Sequence, residues 1–598
     1  MIKINKTLGL ALLTALAASC SSDNDVAQSN NPTIEKGESA FATLRINLPT
    51  QQGSRAATFE DGLASEYKVN DATLLVFKKE NDKDAEGAYK FVQSVNLGNM
   101  NPWYPDETST ESEITTQATV TAELDKIDYK DLEANNNIYG LVILNNGPET
   151  AQKITLPQVG TTFSDWNKNV NNVNATNMQV TSNGIVMANA PEWTTAGAVP
   201  TTLVQIKKDM VKPTAAQAEA AGPAADIYVE RGLAKVTMEA VPVQSPTGSG
   251  YTNDKVGIFA WALDVTNLKS FPVHMVEGLN TSYTDIWKEQ GTGENQIEAS
   301  TVHGASINRF HDVSGIGDFK RVYWGMDPNY NRDPETGDFK KVTDGNELKT
   351  GFKDNNGENP QYCLENTFDI DHMKQNQTTR VLFGAIYKLN GAADAATFYK
   401  IGDQSGLYTK DALETLINTI VKNVTGKEVG KNYTLDLGEI ATVAGSHPLT
   451  DANFKAVTSG KAKAFTRVGT DAQDGTGTTT LNDALTETEI KNVNAQLNGQ
   501  IKTYLNGVCY YIGRIKHFGN DETPWNQGDP TYNSDNLSWL GRYGVLRNNW
   551  YSLKVNSIYG PGEPVIPDTP DTPDDDKNYI DLSVKVLKWA KRSQTLHF

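Results

Sequence analysis

Residues 41–48 read Phe41-Ala42-Thr43-Leu44-Arg45-Ile46-Asn47-Leu48, and their alternation decides what kind of chain this is. Ala42, Leu44, Ile46 and Leu48 share one face, while Thr43, Arg45 and Asn47 share the other. That period of two belongs to a half-buried strand. A polar spacer containing Gly53-Ser54-Arg55-Ala56-Ala57 follows, and then a second strand pattern at Ala72-Thr73-Leu74-Leu75-Val76-Phe77. Further strand patterns recur at 137–144, 184–189, 201–207, 226–239, 256–265, 379–389, 507–518 and 548–558. Many short strands separated by turn-rich stretches predict a mainly β fold of β-sandwich type with minor helical insertions. The spacer at Arg55 reads either as a surface loop or as a cleavage site, and the difference bears on function.

The 598 residues are enough for about two to four domains, and with 38% hydrophobic and 21% charged residues they can build cores. A net charge of −19 argues against nucleic acid or an anionic membrane as the main partner, because both are met by basic surfaces. Of the three cysteines, Cys363 and Cys509 sit in apolar, aromatic strand contexts and read as buried free thiols, since a chain of this size has no need of a staple.

The N-terminus reads as a targeting segment. Lys3 and Lys6 precede an apolar run from Leu8 to Ala18 that is too short to span a bilayer. It ends in Leu16-Ala17-Ala18-Ser19-Cys20, which resembles the lipobox of bacterial lipoproteins, with Ala17 where a larger aliphatic is usual. The resemblance implies diacylation of Cys20, and the polar stretch after it suits a tether. An ordinary signal peptide cleaved nearby is the alternative.

Two helices are expected within the β pattern. Lys410 to Val424 carries Leu413, Leu416, Ile417, Ile420, Val421 and Val424 on one face behind Thr409 as N-cap. A second runs from about Glu487 to Tyr504. The loop at 242–254 reads as a domain boundary. Residues 559–578 form a Pro/Asp-rich linker, expected to be extended, stiff and outside any core. Beyond it, Ile580, Leu582, Val584 and Val586 again make one apolar strand face, which must fold back on its own chain or find another molecule.

No nucleophile elbow, Walker loop, dinucleotide fingerprint or zinc motif is present, and the seven histidines are scattered. The pattern is that of a non-enzyme, with no cofactor implied. Asp369-Ile370-Asp371-His372 reads as a solvated turn. In residues 327–338, Asp327, Asn329, Asn331, Asp333 and Asp338 fall at positions 1, 3, 5, 7 and 12 of a calcium-type loop. Arg332 occupies the position that needs glycine, and Asx-Pro turns produce the same composition, so a structural turn is the expected reading.

Taken together, Tyr228 to Val236, "WALDVTN" (261–267), "VYWGMDPNY" (322–330), "YCLENT" (362–367), "QTTRVLFGAIY" (377–387), "NNWYSLKVNSIYGPGEP" (548–564) and "SVKVLKW" (583–589) resemble the Mfa-type major-subunit fimbrillins of type V pili. The resemblance implies a signal peptide (1–19), a lipidated propeptide with a leader strand (20–55), and two tandem transthyretin-like β-sandwich domains (56–245 and 246–558). The linker and a C-terminal donor strand (579–598) follow. It implies cutting by an arginine-specific protease, whose matching position is Arg55-Ala56. The leader strand (Ala42, Leu44, Ile46, Leu48) and the donor strand (Ile580, Leu582, Val584, Val586) are then candidates for the same groove, and exchange between them would polymerise the subunit. The partners implied are other copies of the chain, accessory pilus subunits, the protease, and the outer membrane through lipid on Cys20; the mature form would lie in the extracellular fimbria. Two other readings are a glycan-binding surface lipoprotein, suggested by ten tryptophans and the anchor, and a tip or anchor subunit of the same pilus.

Overall fold

The computed structural model describes residues 40–48, 66, 68–99, 117–127, 137–147, 154–169, 171–172, 179–180, 184–193, 200–277, 321–322, 324–352, 359–369, 371–457, 484–517, 541–572 and 580–588. The fold is mainly β, as expected, and forms two units in tandem.

The first unit is one sheet that rolls on itself. Its strands are β1 (Ala40–Asn47), β2 (Asp71–Lys78), β3 (Lys90–Asn99), β4 (Gln117–Leu124), β5 (Ile138–Leu144), β6 (Met187–Asn189) and β7 (Ala225–Arg231). They are ordered β3-β2-β5-β6-β7-β1-β4. The two ends of this path meet: Gln93 on β3 accepts the amide of Lys126 just past β4 at 2.8 Å. Inside the roll lie alternate residues of each strand, among them Leu44, Ile46, Leu74, Val76, Val142, Leu144 and Ile227. The opposite face of β2 and β5 carries Leu75, Phe77, Leu141 and Ile143, packed with Phe163, Trp166 and Trp550 in a second core.

The second unit is a sandwich. One sheet holds β8 (Ala234–Met238), β10 (Gln361–Cys363), β15 (Asn549–Ile558) and β16 (Ile580–Lys588), in the order β10-β8-β15-β16. The other holds β9 (Lys255–Asp264), β11 (Arg380–Lys388) and β14 (Val508–Arg514). Val236, Trp261, Phe383, Tyr511 and Leu553 meet between them, together with Cys363 and Cys509. Both thiols are free, and burial pushes them up to about 12 and about 11 respectively. An inserted layer packs α2 (Lys410–Thr425) and α3 (Glu487–Leu497) on short strands that include β12 (Phe398–Ile401) and β13 (Ile501–Tyr504). Thr409 caps α2 by accepting the Ala412 amide. The second helix is shorter than expected. Asn498 turns left-handed at φ 52° and ends it, so Ile501 to Tyr504 join a sheet instead.

The chain passes from the first sheet to the second between β7 and β8, at Arg231–Ala234, which is earlier than the loop expected as the boundary. Charged side chains are buried at this crossing. Lys235, fully buried, pairs with Glu66 at 3.0 Å and lies 3.8 Å from the Trp550 ring, and Tyr362 donates its hydroxyl to Glu66. Glu230 accepts from His274 at 2.7 Å and Arg321 at 2.8 Å, and Arg547 reaches Glu365 at 3.2 Å. A Cβ on Gly325 would lie 2.2 Å from the His274 ring, so only glycine fits there. The segments 228–236, 322–330, 362–367 and 548–558 thus meet at one junction. Removing one partner from a buried pair leaves the other charge stranded at a cost of about 3–5 kcal/mol. Lys235→Met is therefore expected to lower unfolding free energy by about that amount in denaturant titration, with part restored in Glu66→Gln/Lys235→Met. A single variant as stable as the parent would contradict it.

Candidate assembly site

The leader residues sit inside the first unit. Ala42, Leu44 and Ile46 are fully buried and Leu48 nearly so, all in the interior of the roll. β1 runs antiparallel to β4 over its whole length, from Ala40↔Leu124 to Asn47↔Gln117, and parallel to β7 from Leu44↔Ala225 to Asn47↔Tyr228. Among the described residues β4 forms a backbone ladder with β1 alone. The start of β1 is also held from outside, where the Phe41 amide donates to the Lys212 carbonyl at 2.7 Å and the Phe41 carbonyl accepts the Lys212 amide at 2.8 Å. The outer face of β1 pairs Thr43 with the Thr121 hydroxyl at 3.1 Å and Arg45 with Asp226 at 3.1 Å. A short helix, α1 (Ala215–Ala221), lies against β1 and β4 with Ala218 buried. Cys20, Arg55 and Ala56 lie outside the described residues.

The tail strand β16 folds back. It pairs antiparallel with β15 over nine residues, from Ile558↔Ile580 to Asn549↔Lys588, with a bulge near Val555. It occupies the edge of its sheet, and Leu582 packs on the core of the second unit. Ile580, Val584 and Val586 belong to the same strand. In this chain the leader and the tail therefore occupy different sheets.

The first part of the linker corrects the expectation of a solvated spacer. Gly560, Pro561, Gly562 and Pro564 are buried. Glu563 exchanges backbone hydrogen bonds with Tyr510, both at 2.8 Å, and the hydroxyls of Tyr504 and Tyr511 donate to the carbonyls of Gly562 and Gly560. Farther on, Arg380 donates to the Pro567 carbonyl at 2.8 Å. Prolines remove donors and keep acceptors, so tyrosine and arginine donors of the second unit can hold such a segment without a strand ladder. A Cβ on Gly562 would fall 2.1 Å from the Tyr510 oxygen, so the glycine permits this approach. Composition alone shows the acceptors but not the donors that find them.

The calcium-type loop does not gather its side chains around one point. Asp327 is buried and accepts from Asn267 (2.7 Å) and from the amides of Thr367 (2.7 Å) and Asn329 (2.6 Å); burial nonetheless pushes its carboxyl up to about 7. Asp338 accepts from Lys269 at 2.6 Å and lies 2.8 Å from Arg332, while Asp333 is largely exposed. Arg332 also donates to Asn329 at 2.6 Å, so a guanidinium stands among the oxygens. Asn331 is exposed. The Asp369 carboxylate receives the amide and ring nitrogen of His372, closing a turn.

The tail hairpin carries a family match. Residues 502–595 match the family model described as "Major fimbrial subunit protein type IV, Fimbrillin, C-terminal". This region is similar to the C-terminal part of fimbrillins and contains β14, β15, the docked linker and β16. No curated protein matches the sequence. Solved structures that align include a fimbrillin from Porphyromonas gingivalis, at 11% identity over 94% of this chain and 99% of that one with TM-score 0.32. A candidate cell adhesion protein from Parabacteroides distasonis aligns at 11% identity over 94% and 99%, with TM-score 0.38. A tip fimbrial protein from Porphyromonas gingivalis aligns at 9% over 92% and 100%, with TM-score 0.28.

Two outcomes are expected. Leu44→Ala in the uncut protein should lose about 2–5 kcal/mol, because the roll cannot close over the missing side chain; an unchanged denaturation midpoint would show that β1 is not integral. Calcium should leave the melting temperature of the protein unchanged, and a calcium-dependent rise abolished in Asp327→Ala would show that the loop binds the ion.

Proposed function

We propose that the chain is a structural subunit of a bacterial surface fimbria, exported as a lipoprotein through Cys20, cut after Arg55, and polymerised when the tail of one copy replaces the leader of the next. The observation that carries this reading is the position of β1: a strand upstream of Arg55 lies between β4 and β7, and among the described residues β4 has no other ladder. A cut at Arg55 removes the covalent tether and with it the high effective concentration that keeps the leader in place. The vacated slot then offers hydrogen-bonding edges on both sides and an apolar floor.

Strand economics favour the exchange. Among the described residues β16 has one ladder neighbour, β15, whereas a strand in the slot of β1 has two. Its face of Ile580, Leu582, Val584 and Val586 is more β-branched than the face containing Ala42, and each larger aliphatic contributes about 1.5–3 kcal/mol when buried. The docked linker and the β15 ladder would have to open first, so tail release is a second barrier after proteolysis. Adhesion and biofilm formation, accessory pilus subunits as further partners, and the outer membrane as the site of the precursor belong to the same proposal.

Arg55→Ala is expected to give a stable, anchored monomer that forms no filaments, and deletion from Tyr579 onward a cut protein that also forms none. Charge introduced at Leu582 or Val584 should act like the deletion, because a buried unpaired charge costs several kcal/mol. Cys20→Ala should abolish surface filaments. Electron microscopy after arginine-protease treatment reads each outcome; filaments from the Arg55→Ala or the truncated chain would exclude the mechanism.

A further inference from the structure

A cavity of about 320 Å³ opens on the outer face of the first unit, on the far side of the sheet from the interior of the roll. Tyr89, Tyr139 and Tyr228 form its aromatic walls, and Glu86, Glu192 and Asp226 bring three carboxyl groups to it. No lysine, arginine or histidine is among the described residues that line it. The rings of Tyr89 and Tyr139 pack on each other, with centroids 4.6 Å apart and planes tilted by 39°. Glu86 is held in place through one oxygen, Oε1, which accepts the amides of Thr202 at 2.8 Å and Leu203 at 2.6 Å.

Two cations of the chain already approach this rim. Lys79 places its Nζ 5.9 Å from the Tyr89 centroid, and Arg45 on β1 pairs with Asp226 at 3.1 Å. Aromatic faces attract cations within about 6 Å, and more strongly where water is excluded. Carboxylates beside those faces supply charge-assisted acceptors. A neutral sugar needs donors as well as acceptors from its site, and the lining offers few: tyrosine hydroxyls and the Gln205 amide, which lies 3.5 Å from the Tyr139 hydroxyl.

We propose that this cavity binds a primary ammonium group carried on an alkyl chain, with the alkyl stem against the tyrosine rings and the ammonium among Glu86, Glu192 and Asp226. The site is independent of strand exchange. A lysine side chain of another protein and a free alkyl amine share this chemistry, and the experiment separates them.

Glu86→Gln is the informative variant, because glutamine keeps an acceptor for the Thr202 and Leu203 amides and removes only the charge. Tyr139→Ala removes a wall. The full-length uncut protein is titrated at pH 8 by calorimetry with cadaverine, with the tripeptide Gly-Lys-Gly and with methyl galactoside. One molecule of amine per chain is expected, with affinity at least about tenfold lower in both variants, since loss of a charge-assisted contact or an aromatic wall is an effect of that order. Tighter binding of the peptide identifies a lysine side chain as the ligand, and tighter binding of cadaverine a free amine.

Burial raises the Glu86 carboxyl to about 7, with Glu277 adding to the effect. Among the described residues Glu192, Asp226, Tyr89, Tyr139, Tyr228, Lys79 and Arg45 are the other ionisable groups around it. Amine affinity should therefore fall from pH 8 to pH 6 in the parent more than in Glu86→Gln. No amine binding, equal binding by Glu86→Gln with an unchanged melting temperature, or preference for methyl galactoside would overturn the proposal.

Discussion

The first unit depends on one strand, β1. β1 completes the rolled sheet: it joins β4 to β7, buries Leu44 and Ile46 in the interior, and is anchored at Phe41 by two backbone hydrogen bonds. An edge strand could leave a sheet with little consequence. Withdrawal of an inner one strands a neighbour's whole ladder and opens a core to water, two effects that buried backbone groups and apolar side chains both resist. A subunit that has lost this strand is therefore under thermodynamic pressure to accept another of the same periodicity.

The two units communicate through the crossing at Arg231–Ala234. Buried ion pairs contribute little net stability compared with apolar packing, yet they tolerate few alternative arrangements, since a displaced partner leaves an uncompensated charge. Glu66, Lys235, Glu230, Arg321 and Arg547 fix the angle between a rolled sheet and a sandwich more tightly than a greasy contact would. Glu66, which is held at this junction, lies only eleven residues beyond Arg55 in the sequence.

Much of the architecture was legible in the sequence because period-two alternation reports burial directly. The strand at 41–48, the helix behind Thr409 and the two free cysteines follow from side-chain pattern alone. What was not legible depends on partners distant in the chain. Alternation says that β16 buries a face but not that β15 receives it. Proline content says that residues 559–572 cannot form a ladder, but not that Tyr504, Tyr511 and Arg380 supply donors to their carbonyls. The end of the second helix turned on one asparagine adopting positive φ. The tyrosine-lined cavity had no signal in the sequence, because its walls come from separated segments.

The direction of β1 has a consequence of its own. It lies parallel to β7 and antiparallel to β4, so any strand that takes its place with the same pairing must point the same way. Every junction in a chain of such subunits would then be identical and asymmetric, a heterologous contact that propagates without closing on itself. A fibre built in that way would have polarity. One terminus would end in a slot still filled by a leader or awaiting a strand, and the other in a tail with nowhere to insert, so growth, capping and attachment to the cell would be assigned to chemically different ends.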